Sequence, residues 1–243
     1  MRYFVYFSYD GSGYHGWQVQ PNADTVQQKM NEALSILLRE KIETVGAGRT
    51  DTGVHASAMI AHFDTNAVVD EVTLVDKLNR LLPQDISVSQ LKLVDDKAHA
   101  RFDAKARTYH YYIYTGKQPF LRNYATRLYF QPDYDLMNQA AELLLKYTDF
   151  TSFSKLHSDA KTNICHIYYA RWVQVATDYW RFEIKADRFL RNMVRAIVGT
   201  LLEVGRGRLA LEDFTKVIEA KDRNSAGESV PAKGLFLVAV DYC

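Results

Sequence analysis

Tyr9-Asp10-Gly11-Ser12-Gly13-Tyr14-His15-Gly16-Trp17-Gln18-Val19-Gln20-Pro21-Asn22 decides between two kinds of fold. Residues 11–16 satisfy G-x-G-x-x-G, and they follow a run (2–9) whose alternating aromatic and β-branched residues predict a strand. A dinucleotide-binding fold needs that turn to feed straight into a helix whose N-terminus meets the pyrophosphate. Here Trp17 to Pro21 intervene, and helical periodicity starts only near residue 24. No second parallel strand ends in an acidic residue at the expected place. The stretch therefore reads as a polar, aromatic-bearing loop at a binding surface, and the sheet is not a doubly wound parallel one.

Working outward, residues 25–38 predict an amphipathic helix. Asp24 or Thr25 caps it, Gln28 completes a capping-box spacing, and Val26, Met30, Ala33, Leu34 and Leu37 share one face. Strands are expected at 42–45 and 56–63, flanking a glycine-containing loop, then a helix at 71–82 stopped by Pro83 and a strand at 86–94. The grammar recurs with a strand at 108–114, a helix at 136–146 and an antiparallel pair at 163–175 and 179–186. A long helix at 189–204, a short one at 211–220 and a closing strand at 234–241 complete it. Locally paired strands with interspersed helices give an α+β class, with a soft boundary near residue 104. The division is then 1–104 and 105–243.

With 243 residues, 47% of them hydrophobic, the chain can bury a real core, and collagen-like or disordered readings drop out. No window approaches eighteen uninterrupted apolar residues, and the N-terminus enters a strand pattern directly, so a cytoplasmic protein without a membrane anchor is expected. Cys165 and Cys243 make neither a disulfide framework nor a metal finger. Net charge is +1, yet the charges are unevenly spread. Arg101, Lys105, Arg107, Lys117, Arg122 and Arg127 face the lone Asp103 in one block, and residues 181–208 form a second basic block. Two such blocks suit a polyanion held in one groove, although solvated faces would look the same.

Three further segments carry chemistry. In Gly46-Ala47-Gly48-Arg49-Thr50-Asp51-Thr52-Gly53-Val54-His55-Ala56, glycines allow tight turning and close ligand approach. Asp51, between threonines and near Arg49, is either an ionised nucleophile or base, or a turn carboxylate satisfying backbone. In the strand 104–114, Tyr109, Tyr111 and Ile113 share one face while His110, Tyr112 and Tyr114 share the other. Tyrosines among cations suit base stacking, whereas a core role would suit most of them as well. In the helix 189–204, Leu190, Met193, Val194, Ile197 and Leu201 form an apolar stripe, and Gly199 permits close packing. Arg195 among them needs a carboxylate or phosphate partner. G-x-S-x-G, H-E-x-x-H and C-x-x-C are all missing, His55 and His62 are awkwardly spaced, and Cys165-His166 point to opposite strand faces. No metal is expected.

Taken together, these blocks resemble the TruA family of tRNA pseudouridine synthases. The matching residues are Tyr9-Asp10-Gly11 to Gly16-Trp17-Gln18, Gly48 to Ala56, and His99-Ala100-Arg101-Phe102 with Arg107 to Tyr111. Asp149 to Phe153, Phe189 to Gly199 and Pro231 to Tyr242 follow in the family's order. The resemblance implies uridine-to-pseudouridine isomerisation at positions 38, 39 and 40 of the tRNA anticodon arm, with no metal or organic cofactor. It implies Asp51 as nucleophile, Tyr109 packed on the uracil, and Arg195 as the ion-pair partner of Asp51. Arg49, Arg101 and Arg107 are then expected to position RNA or base. The implied fold has two similar halves around a basic cleft, with mainly antiparallel sheets and flanking helices, usually as a homodimer. Asp187-Arg188 departs from the small or amide residue often found before Phe189. A non-catalytic RNA-binding module would explain the cations and tyrosines but not the Arg49–Asp51 loop, and a hydrolase using Asp51 would explain only the loop.

Overall fold

The computed structural model describes residues 1–155 and 162–242; Cys243, one of the two cysteines read above, lies outside the described residues. The chain forms two compact units, one of Met1–Lys105 with Leu237–Cys243, the other of Ala106–Phe236.

In the first unit β1 (Arg2–Tyr9) leads to α1 (Val26–Leu38), β2 (Val45–Gly46), β3 (His55–Asp64), α2 (Glu71–Leu81) and β4 (Ile86–Val94). β1 lies between β3 and β4, antiparallel to both, and β2 adds antiparallel to β3. The register sets Tyr3, Val5 and Phe7 opposite Phe63, Ala61 and Met59, all buried. Phe4, on the other face, is also buried, in a cluster with Ala47, Ile60 and Ala100. Both faces of β1 are therefore core, which explains why aromatic residues occupy both phases of its alternation. Each such fully buried large side chain contributes about 1.5–3 kcal/mol of transfer free energy.

Thr25 caps α1, accepting from the Gln28 N–H at 3.4 Å, but the Gln28 side chain turns to Glu32 and leaves the capping box half formed. The expected strand at 42–45 shrinks to β2. Side chains of α1 take its backbone donors first: Ser35 Oγ accepts from Ile42, and Asn31 Oδ1 accepts from Thr44. α2 is capped by Asp70 and ends where Leu82, preceding Pro83, turns extended.

The second unit contains β5 (Ala106–Tyr114), β6 (Thr126–Arg127), α3 (Tyr134–Leu143), β7 (Ile167–Ala176), β8 (Tyr179–Ala186), α4 (Met193–Gly205) and α5 (Leu211–Glu219). β8 pairs antiparallel with both β5 and β7, and β6 adds a short parallel pair to β5. β7 starts later than expected because residues 163–166 are tied elsewhere: Phe150 N–H donates to Asn163 O, Cys165 N–H to Thr148 O, and His166 N–H to the Asp187 carboxylate. The helix expected from residue 189 begins at Met193, since Asn192 adopts φ +68, outside the helical region. The apolar stripe Leu190, Met193, Val194, Ile197 and Leu201 is nevertheless buried. β9 (Leu235–Asp241) closes the chain, contributing from Leu237 onward to the first unit. Among the described residues no helix is long and apolar enough to cross a membrane. The architecture is α+β.

Candidate active site

In the first unit, pairing of Tyr9 with Ala56 brings the chain after β1 alongside the chain before β3. The segment 10–17 and the loop 47–54 then bind each other along their length. Trp17 N–H donates to Thr50 O at 3.3 Å, and Gly53 N–H donates to Tyr14 O at 3.2 Å. The Tyr9 hydroxyl and Thr50 Oγ1 lie 2.8 Å apart. Such contact demands glycine on the supporting side. A Cβ on Gly11 would lie 2.0 Å from Val54 O, and one on Gly16, at φ +87, 2.3 Å from Thr50 O. Gly11 and Gly16 thus serve not a pyrophosphate but the backbone of the 47–54 loop. At its other end the loop is fixed by Ala47 N–H to Ile60 O at 2.7 Å, and the Trp17 ring lies against Gly46, where a Cβ would be 2.6 Å from Nε1.

Asp51 sits between these anchors. Its carbonyl accepts from Val54 N–H at 3.1 Å, closing a tight turn through Gly53 at φ +75, and the residue is half-buried. His55, 1% exposed, follows the turn. Its Nδ1 accepts the Gly11 N–H at 3.1 Å and lies 3.0 Å from the Asp10 carboxylate. Asp10 also accepts from Ser12 N–H and caps the short 3₁₀ turn at Gly11–Gly13. The Tyr14 hydroxyl donates to Asp85 at 2.6 Å; burial foremost, with that carboxylate second, raises its pKa and keeps the phenol protonated. Arg49 is exposed, and so is Arg101, whose guanidinium carbon stands 5.9 Å from the Phe102 ring centroid.

The second unit carries the other expected residues. Tyr109 on β5 is buried, with its ring edge-to-face on Phe189 at 5.1 Å between centroids. Tyr111, on the same face, is a core residue: fully buried, it donates to Pro231 O at 2.8 Å and lies 2.6 Å from Thr126 Oγ1. Arg107 donates through Nη1 to Asp187 O at 2.9 Å. Asp187 itself accepts from His166 and Arg188 N–H groups, so the departure at 187–188 ties the chain leaving β8 to the chain entering β7. Arg195, half-buried on α4, donates Nε–H to Val230 O at 2.6 Å while its own carbonyl accepts Val230 N–H at 3.2 Å. Gly199 permits this docking, since a Cβ there would lie 1.8 Å from Glu228 O. Among the described residues of its own unit, the terminal guanidinium nitrogens of Arg195 make no hydrogen bond, which suits them to an anion.

One unit therefore offers a half-buried aspartate on a loop braced from two sides, and the other a tyrosine ring packed on Phe189 and, on α4, a guanidinium docked on Val230 O. The sequence reading missed the brace, with Asp10 and His55 in it. Its only sequence signal is that two glycine-punctuated loops flank strands that pair. Among the described residues, no group of three or more His, Cys, Asp and Glu is placed to hold a metal ion.

A family model described as tRNA pseudouridine synthase matches residues 5–103 and 140–243. The chain is similar to tRNA pseudouridine synthase A of Bacteroides thetaiotaomicron, 61% identical over 99% of this chain and 90% of that protein. It is 52% identical to tRNA pseudouridine synthase A of Porphyromonas gingivalis, over 99% of this chain and 97% of the other. With the protein of that name from Bacillus subtilis it shares 40% identity, over 100% of this chain and 99% of that one.

Proposed function

The chain belongs to the tRNA pseudouridine synthase family, and from that premise we propose that it isomerises uridine at positions 38, 39 and 40 of the tRNA anticodon stem-loop, with Asp51 as nucleophile. In this isomerisation the N1–C1′ bond breaks, the C5–C1′ bond forms, a proton leaves C5 and N1 takes one up. Atoms and charge balance without a co-reactant. The target uridine leaves its stack at a cost of a few kcal/mol. Asp51 then attacks the bound nucleotide, and the bond it forms breaks again as the released uracil turns and rejoins through C5.

The observation that carries this reading is the bracing of Asp51. Both flanks of its loop are hydrogen-bonded to residues 14–17, so the backbone that carries the half-buried Asp51 is held in one place. A nucleophile fixed before substrate arrives has already lost the freedom that the reaction would otherwise have to remove. In the same reading Tyr109 stacks on the uracil and Arg195 pairs with the Asp51 carboxylate. Arg49, Arg101 and Arg107 contact the RNA backbone or the base. Residues 1–104 supply the nucleophile and 105–243 the tyrosine and the arginine, around a basic cleft. We take the working form to be a cytoplasmic homodimer that uses no metal or organic cofactor.

The test is incubation of wild type and Asp51→Asn with unmodified tRNA, followed by mapping of pseudouridine and measurement of tRNA affinity. Product at 38–40 from wild type, with Asp51→Asn binding normally but inert, is the expected result. Activity of the variant within about tenfold of wild type, with deamidation excluded, removes Asp51 from the role. Tight tRNA binding by a wild type that forms no product would leave a non-catalytic RNA-binding module.

A further inference from the structure

The connection between β5 and α3 has a composition and an exposure that core packing does not explain. From residue 115 to residue 132 it contains Lys117, Arg122 and Arg127 and no acidic residue. Phe120 is 90% exposed and Tyr129 85% exposed. Single exposed apolar residues are commonplace, but these rings are interleaved with cations. The Arg127 guanidinium lies over the Tyr129 ring, 4.8 Å from its centroid. The next residue, Phe130, has Arg206 over its ring at 4.0 Å. Among the described residues, Arg206 and Arg208 share one counter-charge, Glu203, at 3.3 and 3.8 Å. The patch therefore keeps a positive excess.

Nor is the connection an untethered loop. Ala125 N–H donates to Leu121 O at 2.9 Å, Leu128 N–H to Tyr114 O at 2.8 Å, and Lys233 Nζ to Arg122 O at 2.7 Å. Ala125 and Leu128 are buried anchors, and the pairing of Tyr114 with Arg127 fixes the strand that precedes Tyr129. The exposed rings are thus held out in solvent by an ordered backbone, so binding there pays little for ordering it.

We infer that residues 127–130 with Arg206 form a stacking platform for unpaired bases of RNA, outside the uridine site, with Phe120 and Arg122 extending it. This rests on the proposed action on tRNA. Unpaired bases offer π faces to aromatic side chains and guanidinium planes, while their phosphates meet the cations. A duplex hides its base faces and could use only the charges. A second copy of the chain fits less well, because a self-complementary contact would set this positive patch against itself.

The experiment measures affinities of wild type, Tyr129→Ala, Tyr129→Phe, Phe120→Ala and Arg127→Gln for unmodified tRNA, a single-stranded RNA 12-mer and the matching duplex. Oligomeric state and steady-state kinetics are recorded beside them. Tyr129→Ala is expected to weaken tRNA and single-strand binding by roughly tenfold, with the duplex unchanged and Tyr129→Phe close to wild type. Its kinetic loss should fall in KM rather than in kcat. Arg127→Gln should reduce the salt slope of log affinity by about one. Unchanged tRNA affinity in Tyr129→Ala overturns the platform, as does an equal loss for single strand and duplex. So does a change in oligomeric state with RNA affinities preserved, which would make the patch a contact between copies. Because the platform is judged on binding constants, its failure is separable from failure of the proposed isomerisation, which is judged on product.

Discussion

Gly11 donates its backbone N–H to Nδ1 of His55 at 3.1 Å, joining the segment after β1 to the end of the loop that carries Asp51. The bond is buried, and His55 lies four residues beyond Asp51. The acceptor nitrogen is therefore part of what fixes the turn carrying the carboxylate.

Replacing His55 separates this positioning role from mere filling of space. His55→Leu keeps bulk but strands the Gly11 N–H, at a cost of about 1–3 kcal/mol. His55→Asn places an oxygen near the former Nδ1. The expected outcome is that His55→Leu lowers melting temperature and kcat with little change in KM for tRNA, and that His55→Asn restores most of both. Equal behaviour of the two variants would make His55 a space-filling residue only.

Two glycines of the same region should respond oppositely to alanine. At Gly16 a methyl group meets Thr50 O at 2.3 Å with φ at +87, so both backbone strain and collision act. Strain of that kind alone costs on the order of 1–3 kcal/mol, and displacement of Thr50 carries Asp51 with it. At Gly48 nothing lies within 4 Å of the place a methyl group would take. Thermal unfolding and turnover of Gly16→Ala should both fall, whereas Gly48→Ala should keep its stability. A loss of tRNA turnover in a fully stable Gly48→Ala would then report close approach of the ligand at that glycine.

Gly11 and Gly16 mark how far the sequence could be read. The strand, the loop and the absence of a following helix were legible around residues 9–22, because they follow from local periodicity and from Pro21. What Gly11 and Gly16 are for was not, since Val54 and Thr50 meet them only through the pairing of β1 with β3. Similarly, the apolar stripe of α4 and the close packing at Gly199 could be read from spacing, while the later start at Met193 depends on Asn192, whose Nδ2 is held by Ser229 at 2.6 Å. Residues 42–45 look like a strand in isolation, yet Asn31 and Ser35 reach them first. Patterns that repeat along the chain were visible, and features fixed by one distant partner were not.

Acid should weaken the first unit through His62. Its Nδ1 accepts the Ala100 N–H at 3.1 Å, and its ring meets that of His99 at 4.6 Å. Burial, followed by the charges of Arg2 and His99, pushes the imidazole pKa down to about 4. An unfolded histidine titrates near about 6.5, so between those values the unfolded chain binds a proton that the folded chain refuses. The resulting stability is fully present above about 6.5 and is lost as pH falls toward 4. His62→Asn retains an acceptor and removes the titration. Denaturant midpoints recorded from pH 7 to pH 4.5 should fall more steeply for wild type than for the variant; parallel curves would assign the acid sensitivity to other groups.

Tyr109 allows positioning and chemistry to be told apart. Its ring rests edge-to-face on Phe189, and stacking on a flipped uracil contributes on the order of 1–3 kcal/mol per base. The hydroxyl matters to rate only if it accepts or relays the proton leaving C5. Tyr109→Phe keeps the ring and removes the hydroxyl, while Tyr109→Leu removes both. For a ring that only stacks, Phe should match wild type and Leu should lose both affinity and rate. For a hydroxyl that takes the proton, Phe should bind tRNA normally yet turn over slowly. Deuterium at C5 of the target uridine should then slow that variant further. Wild-type rates in both variants would make Tyr109 a core tyrosine like Tyr111, and would move the search for the stacking ring to Tyr14.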